Sequence, residues 1–163
     1  HVEPGPGGGE GWLSWISLAA DVAPADVTRV LAATNAIRKI IGYIWYYTAA
    51  AVAATRTLDI QLRNLATAVP TGITDPIIWT RPAVSLTTGE VGYIYATNPG
   101  RGDGFSVHND NGTLVYESTD TKPLPFPYWA AEDDLADLIF DVGAADAADR
   151  HSIYLLQEEW LKL

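Results

Sequence analysis

Residues 27–69, VTRVLAATNAIRKIIGYIWYYTAAAVAATRTLDIQLRNLATAV, decide how the chain is read. Mainly apolar residues recur there at alternating spacings of three and four: Val27, Val30, Thr34, Ile37, Ile41, Ile44, Thr48, Ala51, Thr55, Leu58, Leu62, Leu65 and Val69. Ten of these thirteen positions are apolar and the rest are threonine, which is the period of a helix that keeps one seam against a partner. A helix of this length would be a rod of roughly 65 Å. That is too long for so small a chain to wrap by itself, so the pattern predicts assembly. β-Branched residues fill both columns of the seam, and this favours three strands over a leucine-zipper dimer. The alternative is one long helix packed against its own C-terminal domain.

The rod has marked ends. Pro24 suits a first helical turn with Asp21 or Asp26 beside it, and Pro70-Thr71-Gly72 stops it. A glycine-rich arm, HVEPGPGGGEG, precedes it, with a short amphipathic turn at 12–20 as anchor. From residue 74 the period shortens to two. Short strands are expected within 76–117, with Tyr93 and Tyr95 on one face and an Asn111-Gly112 turn between Phe105–Val107 and Thr113–Glu117. The prolines of 122–127 read as an extended connector, Asp133–Val142 as an acidic amphipathic helix ended by Gly143, and 153–161 as a docked tail. The expected fold is therefore α+β: a flexible arm over 1–23, an oligomerisation helix over 24–70, an antiparallel β-rich head over 71–128, and an acidic C-terminal helix with its tail over 129–163.

Charge is uneven. Residues 1–69 carry five acids and five bases, while residues 70–163 carry fifteen acids and five bases, so the net −10 lies in the second part. Such a surface repels phosphate backbones and argues against nucleic-acid binding. The bases Arg29, Arg38, Lys39, Arg56 and Arg63 are too widely spread to form a nucleic-acid surface. Without cysteine, disulfides, thiolate catalysis and cysteine metal sites are excluded. Without methionine, the chain reads as processed, trimmed or a fragment. The sixteen uncharged residues of 40–55 are short of the roughly 20 needed to span a bilayer, although Tyr43, Trp45, Tyr46 and Tyr47 would suit its interface.

Chemistry has little support. His1, His108 and His151 share no metal-ligand spacing, and no cofactor motif is present. Asp149, His151 and Ser152 are triad residue types, yet close sequence neighbours seldom aim at one another. Glu132, Asp133 and Asp134 are explained by a helix start. Asp103, Asn109, Asp110 and Asn111 offer loop oxygens without the alternating spacing of a calcium loop. Arg101-Gly102-Asp103 looks like an adhesion tripeptide, but three residues recur easily by chance. No catalytic, cofactor or metal residue is assigned. The organisation resembles that of virion accessory or fibre proteins in architecture alone, without a family motif. On that resemblance the expectation is a non-enzymatic virion or extracellular protein that self-associates as a trimer, with other structural proteins as further partners. A membrane-complex subunit with 40–55 at the bilayer is the rival. A small hydrolase or carbohydrate-binding module comes third, motivated by Trp79, Tyr93, Tyr95, Tyr128 and Trp129.

Overall fold

The computed structural model describes residues 11–30, 36–64, 77–96, 104–118, 128–130 and 136–161, and among these every regular element is a strand. In chain order they are β1 (Trp12–Val22), β2 (Val27–Val30), β3 (Ala36–Thr48), β4 (Arg56–Asn64), β5 (Ile77–Leu86), β6 (Val91–Ala96), β7 (Gly104–His108), β8 (Leu114–Ser118), β9 (Tyr128–Ala130), β10 (Ala136–Gly143) and β11 (Arg150–Leu161). The larger sheet runs β1-β11-β3-β6-β7-β8, with β9 beside the start of β3, and the smaller runs β2-β10-β4-β5. All their pairings are antiparallel. The two sheets share one core, so the architecture is a β-sandwich.

The α+β expectation is overturned at the rod itself. Its described residues form β2, β3 and β4 instead of a helix. β3 is rich in Ile, Tyr and Trp, which suit a pleated surface covered on both sides. Its buried residues alternate as Tyr43, Trp45 and Tyr47, with Ile40 on the same side because Ile41 is the extra residue of a bulge opposite Leu156–Gln157. The proposed seam does not exist as a line. Ile37, Ile41 and Ile44 are half-buried on β3, Ala51 is exposed in a loop, and Leu58 and Leu62 are fully buried on β4. Val27 and Val30 belong to β2, while Thr34, Leu65 and Val69 fall outside the described residues. Trimerisation through a helical stem, and the virion-fibre reading built on it, therefore lose their basis.

Three smaller expectations change too. The anchor turn at 12–20 is part of β1, and the acidic helix 133–142 is represented by β10, whose Leu138 and Phe140 enter the core. The strands expected in one head are shared between sheets: β5 pairs with β4, whereas β6, β7 and β8 continue the larger sheet. The hairpin at 105–117 is present, closed by Asn109 N–H on Thr113 O (2.9 Å) and Gly112 N–H on Asn109 O (3.0 Å), with Gly112 at φ +88°. The arm over 1–10, the connector at 122–127 and Arg101-Gly102-Asp103 lie outside the described residues. No helix among the described residues is long and apolar enough to cross a membrane, and 40–48 are committed to β3.

Phe140 joins the layers. Its ring meets Tyr43 and Trp45 edge-on at centroid distances of 5.8 and 5.4 Å, so a strand of the smaller sheet is keyed into the centre of the larger. One end of the sandwich is closed by a buried polar group. Arg56 donates from Nε and Nη2 to the two oxygens of Asp149, both at 2.9 Å, and both side chains are wholly buried. Asp149 also accepts from Tyr47 Oη (2.6 Å), Ala50 N (2.7 Å) and Asp146 N (3.0 Å). Arg56 Nη1 caps the carbonyls of Val52 and Ala54. Loops 49–55 and 144–149 are thereby tied to β3 and β4.

Candidate functional site

Alternation along β3 sends Trp45 and Tyr47 inward and leaves Ile44, Tyr46 and Thr48 on the outer face of the larger sheet. Register carries this face across neighbouring strands. Tyr46 is the cross-strand partner of Ser152 on β11 and of Tyr93 on β6, and Tyr93 in turn is opposite Ser106 on β7. In the next row Tyr154, Ile44, Tyr95 and Gly104 stand side by side. Four tyrosines thus share one outer face, with Tyr46 and Tyr154 exposed and Tyr93 and Tyr95 half-buried. The Tyr93 and Tyr95 rings lie 5.4 Å apart at 39°, forming a tilted platform. Gly104 makes room for it: a Cβ there would sit 2.7 Å from Tyr95 Oη.

Beside this platform is an open depression of about 490 Å³, lined by Tyr46, Val91, Tyr93, Ser106, His108, Asn109, Asp110 and Gly112. The 109–112 turn forms its rim. Asn109 and Asn111 direct their Oδ1 atoms to Thr113 N at 2.8 and 3.1 Å, which fixes the loop. Among the described residues, the side chains of Tyr46, Tyr93, Ser106, His108 and Asp110 make no hydrogen bond, so their polar groups are available to a ligand. Aromatic faces flanked by a few convergent polar groups make a binding surface. Among the described residues, Ser106, His108 and Asp110 share this lining without a hydrogen bond to one another.

The other histidine is part of the core. His151 is 2% exposed, accepts the Trp45 indole N–H at Nδ1 (3.3 Å), and meets Trp45 and Tyr47 edge-on. Burial lowers its pKa, and accepting the indole N–H requires Nδ1 to carry no proton. Neighbouring Asp149 is turned to Arg56, and Ser152 Oγ accepts Asp21 N (2.9 Å), so these three side chains have separate structural duties. No group of three or more His, Cys, Asp or Glu among the described residues is placed to hold a metal ion.

Of the aromatics singled out in the sequence, Tyr93 and Tyr95 reach this face as their spacing implies. Trp79 lies on β5 of the other sheet, and Tyr128 and Trp129 lie on β9. Sequence reasoning missed Tyr46 as a partner of Tyr93, because it placed Tyr46 on a helix. The signal was present in the period of two along Tyr43, Trp45 and Tyr47. His108 and Asp110 were noticed in the turn, but their proximity to Tyr46 depends on the pairing of β3, β6 and β7.

The chain matches no protein-family model and no curated protein. Solved structures similar to it include peanut lectin in complex with a nine-residue peptide, with 9% identity, 90% of each chain covered and a TM-score of 0.33. Another is a protein of unknown function from Shewanella oneidensis, with 11% identity, 92% of this chain and 79% of that chain covered, and a TM-score of 0.29. At these scores neither likeness carries an argument about function.

Proposed function

We propose that the chain is a non-catalytic binding module that takes a neutral oligosaccharide on the outer tyrosine face of its larger sheet. The observation that carries this reading is the cross-strand pair Tyr46–Tyr93 beside Ser106, His108 and Asp110. A sugar ring has an apolar C–H face that covers an aromatic ring and a rim of hydroxyls that needs donors and acceptors at its edge. The tyrosines supply the first need and the turn supplies the second. Net charge favours a neutral ligand: at −10, with Asp110 on the rim, the protein repels sulfated or uronic-acid chains.

Isothermal titration against a panel of neutral oligosaccharides tests the reading. Binding is expected to weaken about tenfold for each of Tyr46→Ala and Tyr93→Ala, the cost of about 1.4 kcal/mol of lost ring contact. Thr57→Ala, exposed on β4 of the smaller sheet, should leave affinity unchanged. Absence of binding across the panel, or undiminished affinity in the double tyrosine variant, contradicts the proposal.

A further inference from the structure

Among the described residues, the strand paths end at β1 and β8 in the larger sheet and at β2 and β5 in the smaller, while β9, three residues long, lies off the path beside β3. Exposed edges present unpaired backbone groups, and proteins usually blunt them with charge, proline, bulges or brevity. Three of these edges carry such a device. β2 has four residues including Arg29, β5 contains Arg81 and Pro82, and β8 has five residues including Glu117. β1 differs. It runs for eleven residues, WLSWISLAADV, with no proline and no charge before Asp21. Its large side chains at the start are left open, with Trp12 at 62%, Leu13 at 61% and Trp15 at 48% exposure.

The pairing with β11 shows which part of this edge is straight. Register is regular from Trp12 to Ser17 and shifts between Ser17 and Ala19, so a bulge protects the far end alone. Within the regular part, Trp12 and Leu13 point to opposite faces of the sheet, and Trp15 shares the face of Leu13. A strand added at this edge would be covered by large side chains from both sides.

Charge identifies the strand that is added. A chain of net −10 repels its own copies over most approaches, but residues 11–20 are free of charge, so two copies meet there without like-charge contact. The same stretch is apolar enough to gain by being covered. The distinct, blunted β8 edge gives a head-to-tail contact no equivalent partner, so the association closes on itself about a two-fold axis and does not grow into a filament.

We propose that two copies of this chain associate edge to edge through β1, antiparallel, forming one continuous sheet across the dimer. In such a pairing the two-fold axis is perpendicular to the sheet, so the outer faces of both copies look the same way. Across the strands the two Tyr46 positions are then five spacings apart, about 24 Å, and they are offset further along the strands because Tyr46, opposite Ser152, lies level with the far end of β1. One multivalent surface could engage both faces, and the weak contact of one becomes an avid contact of two. The dimer itself does not depend on what the tyrosine face binds.

Sedimentation equilibrium without ligand tests the association at concentrations up to about 100 μM, a range suited to so short an interface. The expected mass is twice the 17.6 kDa of the chain. Trp15→Lys is expected to give a monomer with an unchanged far-UV circular dichroism spectrum, because the substituted side chain is half-exposed in the single chain. Since the protein has no cysteine, single substitutions give a clean second measurement. At least one of Leu13→Cys, Trp15→Cys and Ser17→Cys should cross-link to a dimer under mild oxidation, while Leu114→Cys on the β8 edge should not. A monomer throughout the concentration range overturns the proposal. So does a dimer that survives Trp15→Lys, or one that cross-links through Leu114→Cys and through none of the β1 positions.

Discussion

Asp149 and Asp141 show opposite consequences of placing a carboxylate in this sandwich. Burial pushes the Asp149 carboxyl up, but hydrogen bonds from Arg56, Tyr47 and the Ala50 and Asp146 amides outweigh it and hold the group at about 2. Against an ordinary 3.8, the shift corresponds to roughly 2 kcal/mol of stability. That contribution is complete above about pH 4 and disappears as pH falls through 2. Asp149→Asn should lower stability by about 3–5 kcal/mol at pH 7 in urea unfolding, since it leaves the Arg56 charge buried without its counter-ion. Asp141 sits on the outer face of the smaller sheet, opposite Asp59 on β4, and Asp26 Oδ1 accepts Val142 N–H alongside. Partial burial, then the Asp26 and Asp59 carboxylates, raise Asp141 to about 6. The folded chain therefore holds a proton that the unfolded chain releases near 3.8, so this group destabilises the fold above pH 6 and is neutral below about 4. Linkage sets an upper bound of about 3 kcal/mol, reduced by solvent screening. Asp141→Asn is expected to raise the urea midpoint at pH 7.5, with the gain vanishing by pH 4; an equal gain at both pH values would show that proton linkage is not its source.

β3 is the element on which the sandwich depends, and its two faces should respond differently to truncation. Trp45 is fully buried against Phe140 and His151, so Trp45→Ala should cost about 3–5 kcal/mol in urea unfolding. Ile44, half-buried on the outer face, should cost about 1 kcal/mol when cut to alanine. A helix with the 27–69 seam would reverse that order. The contrast also explains what was legible. The 105–117 hairpin could be read because its Asn-Gly turn is local chemistry, and the shared face of Tyr93 and Tyr95 followed from alternation alone. β3 was obscured because its outer face is also aromatic and aliphatic, so residues 40–47 form a continuous apolar run without contrast between faces. The bulge at Ile41 then shifts the parity and lets a spacing of three and four fit by coincidence. β10 imitated an amphipathic helix because Asp137 and Asp141 are four residues apart, whereas the strand buries Leu138 and Phe140 at a spacing of two. The Arg56–Asp149 pair joins positions 93 residues apart and leaves no local trace.

At the scale of the molecule, the antiparallel pairing of strands distant in sequence turns scattered tyrosines into a surface. β3 and β11 pair along twelve positions, bringing Tyr154 and Ser152 beside Ile44 and Tyr46, and β6 adds Tyr95 and Tyr93 on the other side. The core beneath is closed by Phe140 and by the Arg56–Asp149 group, so the backbone of the outer face is held on a packed layer, which lowers the entropic cost of association. A single Gly104→Ala exchange should disturb this layer by pressing on Tyr95, and a loss of saccharide affinity without a large fall in melting temperature would register it. The most direct measurement is a ¹H–¹⁵N correlation spectrum of the full chain titrated with the neutral oligosaccharides. Saturable shifts at Tyr46, Tyr93, Ser106 and His108–Gly112, together with strand-type carbon shifts through 36–48, are the expected result. Saturable shifts confined to the smaller sheet, no shifts with any oligosaccharide, or helical carbon shifts through 36–48 would contradict it.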